Sequence, residues 1–240
     1  MPALLKRALF QVNDTPNERT SALSSVSNDG HYISIRAFVK PRSQAEEQFP
    51  FEWAFAGTNK DINVTKVKDG VVKQDFNFGF DVNVYLNIPN THRGTVQTVW
   101  TNWDSGCIAE HGTVYPGGSD QPGVKFFELW QPVDPSKEDL VMVSSNTDTG
   151  KSIVFKTDSS SFQGLFIITG EWSQGYLAKS GESTLKGLNF IRTVEKSQKV
   201  ETLFQYGVDS EKFPSPTSSV TKGDIVDSNG IKWEVIEAYQ

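Results

Sequence analysis

Apolar residues recur along this chain at every second position far more often than at helical spacing. The clearest run is 76–88, FNFGFDVNVYLNI. In it Phe76, Phe78, Phe80, Val82, Val84, Leu86 and Ile88 alternate with Asn77, Gly79, Asp81, Asn83, Tyr85 and Asn87. Side chains of an extended chain point alternately to opposite faces, so the run reads as a strand with one buried and one wet face. At ~3.3 Å per residue it would reach about 40 Å, beyond an ordinary strand, and a bend is expected at Gly79.

Shorter alternating runs fill the rest of the first half. Residues 4–12, 20–27 and 33–39 read as strands, with Asn28-Asp29-Gly30 a hairpin turn between the last two. In 33–39 the apolar face carries Ile33, Ile35, Ala37 and Val39, and the other face carries Ser34 and Arg36. Residues 41–48 read as a polar loop. Phe49, Phe51, Trp53 and Phe55 share a face, which puts Glu52 on the opposite, solvent side. Residues 62–67 meet 71–80 across Asp69-Gly70, and 94–103 and 124–130 complete the set.

Gln131-Pro132-Val133-Asp134-Pro135-Ser136 marks a boundary, because its prolines cannot donate to a ladder. It divides the chain into domains 1–135 and 136–240. Ser136–Leu140 reads as one short helical turn. Beyond it, 140–144 and 152–156 are strands joined through Asp148-Thr149-Gly150. Residues 165–172 are apolar on both faces and are expected to be covered on both sides. Strands follow at 175–177, 188–194 and 200–206. Residues 213–221 are a Ser/Pro-rich surface loop, and 224–226 pairs with 231–239 across Asn229-Gly230. Hairpin turns at such short intervals favour meandering antiparallel barrels.

Composition narrows the function classes more than the fold. The 240 residues hold 16 Phe and 6 Trp, enough large rings to fill a sizeable core or two, and a net charge of −6 with no Lys/Arg block. A nucleic-acid surface is therefore not expected, and no segment approaches the ~20 apolar residues of a membrane span. The single cysteine, Cys107, allows no intrachain disulfide and fits a reducing compartment.

Candidate chemistry is sparse. Cys107 and His111 are four apart, but a thiol nucleophile and its imidazole are usually brought together by the fold. His31, His92 and His111 are isolated in sequence, each assigned to a turn rather than to a metal site. No catalytic, cofactor or metal-binding residue is assigned. The remaining candidate is the aromatic set Phe51, Trp53, Phe55, Phe76, Phe78 and Phe80, which would either pack a barrel or line a cavity for a small apolar ligand.

The strings MPALLKRALFQV, PFEWAFAGTN, VVKQDFNF, NVYLNIPNTHRG, NWDSGC, ELWQPVDPS, GLNFIR and NGIKWEVIE closely resemble the small budding-yeast family first named for interacting with a casein kinase I. The resemblance runs nearly end to end. It implies two consecutive antiparallel domains of lipocalin-like β-barrel topology, residence in cytoplasm and nucleus, and association with the kinase. It supplies no enzymatic activity, cofactor or catalytic residue. The expectation is an all-β, non-enzymatic binding or adaptor protein, with an apolar-ligand carrier as the alternative.

Overall fold

The computed structural model describes residues 2–143, 150–217 and 219–240. The chain is all-β, built as two curled antiparallel half-barrel sheets of lipocalin-like form. Two compact units result. The C-terminal unit comprises residues 133–240, the chain up to Leu4, and the hairpin tip Ser25–Ile33; the N-terminal unit comprises Leu5–Ser24 and Ser34–Pro132.

The first sheet uses β1 (Ala3–Val12), β2 (Thr15–Pro16), β3 (Thr20–Val26), β4 (His31–Phe38), β5 (Phe51–Thr58), β6 (Ile62–Lys68), β7 (Val71–Phe76), β8 (Phe80–Asp81), β9 (Val96–Asn102), β10 (Ile108–Val114) and β11 (Val124–Val133). Its order is β6-β7-β9-β10-β11-β1-β3-β4-β5-β8, with β2 paired to β1. The edge strand β6 is almost wholly exposed, and its register with β7 shifts between Lys66 and Lys68.

The 76–88 run does not form one strand. β7 ends at Phe76, the chain bends at Gly79, β8 is two residues long, and α1 (Val82–Tyr85) is a helical turn. Asp81 is the reason: its Oδ1 accepts from the backbone N–H of Asn83 and Val84, capping the helix, and also from Trp53 Nε1. A local cap overrides the period-two pattern.

The 41–48 loop likewise contains a helical turn at Gln44–Gln48, where the Ser43 hydroxyl accepts from the Glu46 N–H. Ser136–Leu140 is not helical, because Asp134 Oδ1 takes both the N–H and the hydroxyl of Ser136. β11 runs on through Pro132, which lies past the end of the β10 ladder at Trp130, so the proline interrupts no bond of that ladder.

The second sheet uses β12 (Ser152–Asp158), β13 (Phe162–Thr169), β14 (Trp172–Lys179), β15 (Leu188–Lys196), β16 (Lys199–Tyr206), β17 (Ile225–Ser228) and β18 (Ile231–Tyr239). Its order is β16-β15-β14-β13-β12-β18-β17. Asn229 and Gly230 both have positive φ, as the primed turn between β17 and β18 requires. β13 is buried on both faces from Gly164 to Thr169, as its composition predicts. Of the 140–144 strand, Met142 makes one bridge to Val133; Ser144 and the Asp148–Thr149 turn lie outside the described residues.

The core of this unit is apolar and includes Phe155, Phe166, Leu177, Trp233 and Val235. The 213–221 segment is only partly a surface loop. Phe213 and Val220 are buried in that core, with the Phe213 ring 5.9 Å from both Phe166 and Trp233. Room for it comes from Gly175, where a Cβ would lie 2.7 Å from both the Phe166 and Phe213 rings. Ser218, within the same segment, is outside the described residues.

Candidate functional site

The interior of the N-terminal unit is ionic. Arg7 on β1 is fully buried and donates to Glu18 at 2.7 Å, Glu52 at 2.8 Å, Glu128 at 2.8 Å and Thr20 at 2.9 Å. Arg36 on β4 grips Glu128 with both terminal nitrogens, at 2.7 and 3.0 Å. Its guanidinium also lies 4.9 Å from the Trp53 ring and 5.9 Å from Trp130. Directly across the ladder from Glu128 is Glu110, which accepts from Trp130 Nε1 at 2.8 Å.

Burial, reinforced by the Glu128 carboxylate, pushes Glu110 up to about 8. Burial alone would lower Arg7, but the surrounding Glu128, Glu52 and Glu18 carboxylates outweigh it and raise it. Two guanidinium groups therefore stand among four glutamates, one of which, Glu110, keeps its proton at neutral pH.

Two expectations are corrected here. Glu52 does not stand free in water; only partly exposed, it pairs with Arg7, and its β5 neighbours Ala54 and Ala56 are buried. Arg36 and Ser34 are also buried, because the polar side of β4 turns onto the Glu128 cluster rather than onto solvent.

The C-terminal unit holds a second polar knot. The Glu237 carboxylate on β18 is inaccessible to solvent and is wrapped by the 27–31 hairpin tip. It accepts from the Ser27 hydroxyl at 2.7 Å, from the N–H of Asn28 at 2.8 Å and Asp29 at 3.1 Å, and from the Ser152 hydroxyl. His31 Nδ1 is 3.3 Å away. Burial would raise this carboxyl, but these hydrogen bonds outweigh it and hold it at about 2.

Trp53, Phe55, Phe78 and Phe76 form a chain of ring contacts, from 4.4 Å between Trp53 and Phe55 to 6.0 Å between Phe76 and Phe78. Phe51 packs on Phe49, and Phe80 on Tyr85. Cys107 precedes β10 while His111 lies within that strand, its ring 4.8 Å from Phe127; it is not a turn residue. Four residues of extended chain span about 13 Å, so the thiol and imidazole are out of hydrogen-bond reach. His92 is fixed in its loop, accepting from the Tyr115 N–H at Nδ1, with Nε2 3.1 Å from the Thr95 carbonyl.

A cleft of about 860 Å³ opens on the N-terminal unit. Val99, Phe126, Phe127 and Tyr115 supply apolar surface, and Lys73, Arg93, Lys125 and His111 supply nitrogen. None of the six aromatic candidates lines it. The ionic interior and Glu237 are not assigned from sequence, although a signal is present: Glu128 falls in phase with Phe126 and Trp130, and Glu237 in phase with Trp233 and Val235. A charge at an inward position of a period-two run must be paired.

A family model described as Protein HRI1 matches residues 3–237. Relatives named Protein HRI1 from Saccharomyces cerevisiae strains YJM789 and RM11-1a are each 58% identical over 242 residues, covering 99% of this chain and 99% of the relative. That of strain ATCC 204508 / S288c is 57% identical with the same coverage. The crystal structure of an uncharacterized protein, YLR301w from the same species, matches with a TM-score of 0.96 at 56% identity, covering 100% of this chain and 99% of that one.

Proposed function

This chain belongs to the HRI1 family, and from that premise we propose that it is a non-enzymatic binding or adaptor protein whose working surface is its exterior. The observation that carries this reading is the state of the two interiors. One is filled by its own rings and aliphatic side chains, and the other is crossed by a guanidinium–carboxylate network. Buried, paired charges are a poor environment for an apolar ligand, so the carrier reading draws no support from them.

The proposed partner is a casein kinase I, met in cytoplasm and nucleus. Support on the protein side includes Trp103, 45% exposed at the end of β9 and stacked 6.3 Å from Phe127. An exposed tryptophan on a rigid sheet is the residue type that most often anchors a protein interface. Among the described residues no helix is long and apolar enough to cross a membrane. Purified protein and kinase should form a complex with a Kd of about 10 μM or tighter, weakened at least about tenfold by Trp103→Ala. No complex at that concentration overturns the kinase assignment.

A further inference from the structure

We propose that the cleft on the N-terminal unit is a binding site for a small aromatic anion of the nucleoside monophosphate class. The site is built from charge and rings together. The chain as a whole carries a net charge of −6, yet this cleft presents Lys73, Arg93 and Lys125 against the single carboxylate of Asp14. Lys73 is shared loosely with Asp75, at 3.6 Å. Arg93 is oriented by Nη2 donation to the Asn87 side chain and the Ile88 carbonyl, both at 3.2 Å, and neither acceptor is charged. Among the described residues no carboxylate pairs with Lys125. Positive charge is thus left for an incoming anion, as phosphate recognition requires.

The rings set the other half of the specificity. Lys73, Val99, His111 and Phe127 form one row across the sheet, since Val99 is the register partner of both Lys73 and His111, and His111 is that of Phe127. The His111 imidazole leans on Phe127, is exposed, and makes no hydrogen bond among the described residues. A planar ring placed over this row would stack on His111 and Val99 while its phosphate reached Lys73 or Lys125. Gly112 shapes the cleft further: a Cβ there would lie 2.4 Å from the Phe126 ring, so glycine lets that ring lie on the strand. The volume of about 860 Å³ is that of a small-molecule site.

The test is a titration of the full chain with adenosine monophosphate, adenosine and inorganic phosphate, followed by amide NMR and calorimetry. The nucleotide is expected to shift the Val99, Gly112 and Lys125 amides and to bind at least about tenfold more tightly than either of its halves. The double variant Lys73→Glu/Lys125→Glu should lose at least about tenfold, with an unchanged melting curve, and His111→Ala a few-fold. Binding no tighter than phosphate alone, or equal binding by the charge-reversed variant, overturns the proposal. So does a short RNA that binds far more tightly than the nucleotide with a steep salt dependence, which would assign the cleft to a strand rather than a small molecule. None of these outcomes bears on the complex with the kinase.

Discussion

Glu110 keeps a proton at neutral pH, and that makes its neighbourhood a pH-dependent part of the fold. Its ordinary value is 4.5 and its folded value about 8. Between the two, the folded chain holds a proton that the unfolded chain gives up. The contribution of this site to stability therefore falls as pH rises from about 4.5 to about 8, by at most about 1.4 kcal/mol per pH unit, and is flat beyond. Glu110→Gln keeps an acceptor for Trp130 Nε1 but cannot ionise. Thermal melts should show the variant gaining on the native chain across that window, and parallel curves would refute the assignment.

Glu237 has the opposite sign. Its folded value of about 2 lies below the ordinary 4.5, so its stabilisation is complete above about 4.5 and is lost as pH falls toward 2. Glu237→Gln should cost about 3 kcal/mol in urea melts at pH 7, a difference that closes across the same acid window. Glu128 and Glu237 both occupy inward positions of alternating runs. The sequence therefore carries the warning that each needs a partner, but the partners are Arg36 and Arg7 for one cluster and the 27–31 tip for the other. Those partners lie tens to hundreds of residues away in sequence, beyond the reach of any local pattern.

At the scale of elements, most strands and hairpins follow from alternation and turn chemistry, as with β17 and β18 across Asn229-Gly230. The 76–88 run fails because two local signals compete in it. Asp81-Val82-Asn83-Val84-Tyr85 reads as alternation, but it also places an aspartate where its carboxylate can cap the next two N–H groups. Asp81→Ala removes that cap and the Trp53 acceptor, at a cost of about 1–3 kcal/mol. Faster hydrogen exchange at Asn83 and Val84 and a shifted Trp53 indole signal would register it. In the second sheet, Gly175→Ala forces a methyl against Phe166 and Phe213 and should cost about 1–3 kcal/mol in denaturant melts. A neutral result would mean that Phe213 does not pack where Gly175 leaves room for it.

At the scale of the whole molecule, one recipe of curled antiparallel strands yields two interiors of different chemistry. Ring content and period-two patterning announce a sizeable core or two, but they do not announce that one interior is apolar and the other salt-bridged. The difference has a measurable signature. Raising pH from about 5.5 to about 8 should lower amide protection on β10 and β11 around Glu110, while β13 and β14 keep theirs. Uniform loss across both sheets would show that the titrating carboxyl is not confined to the first.

The margin strand β6 bears on colloidal behaviour. Its register slips at Val67, and lysines stand on both sides of that slip. A twisted, positively charged border offers a neighbouring molecule no continuous row of amides to extend. Removing Val67 and neutralising Lys66 and Lys68 would straighten that border, and static light scattering should then record chains adding to one another at concentrations where the natural protein stays dispersed.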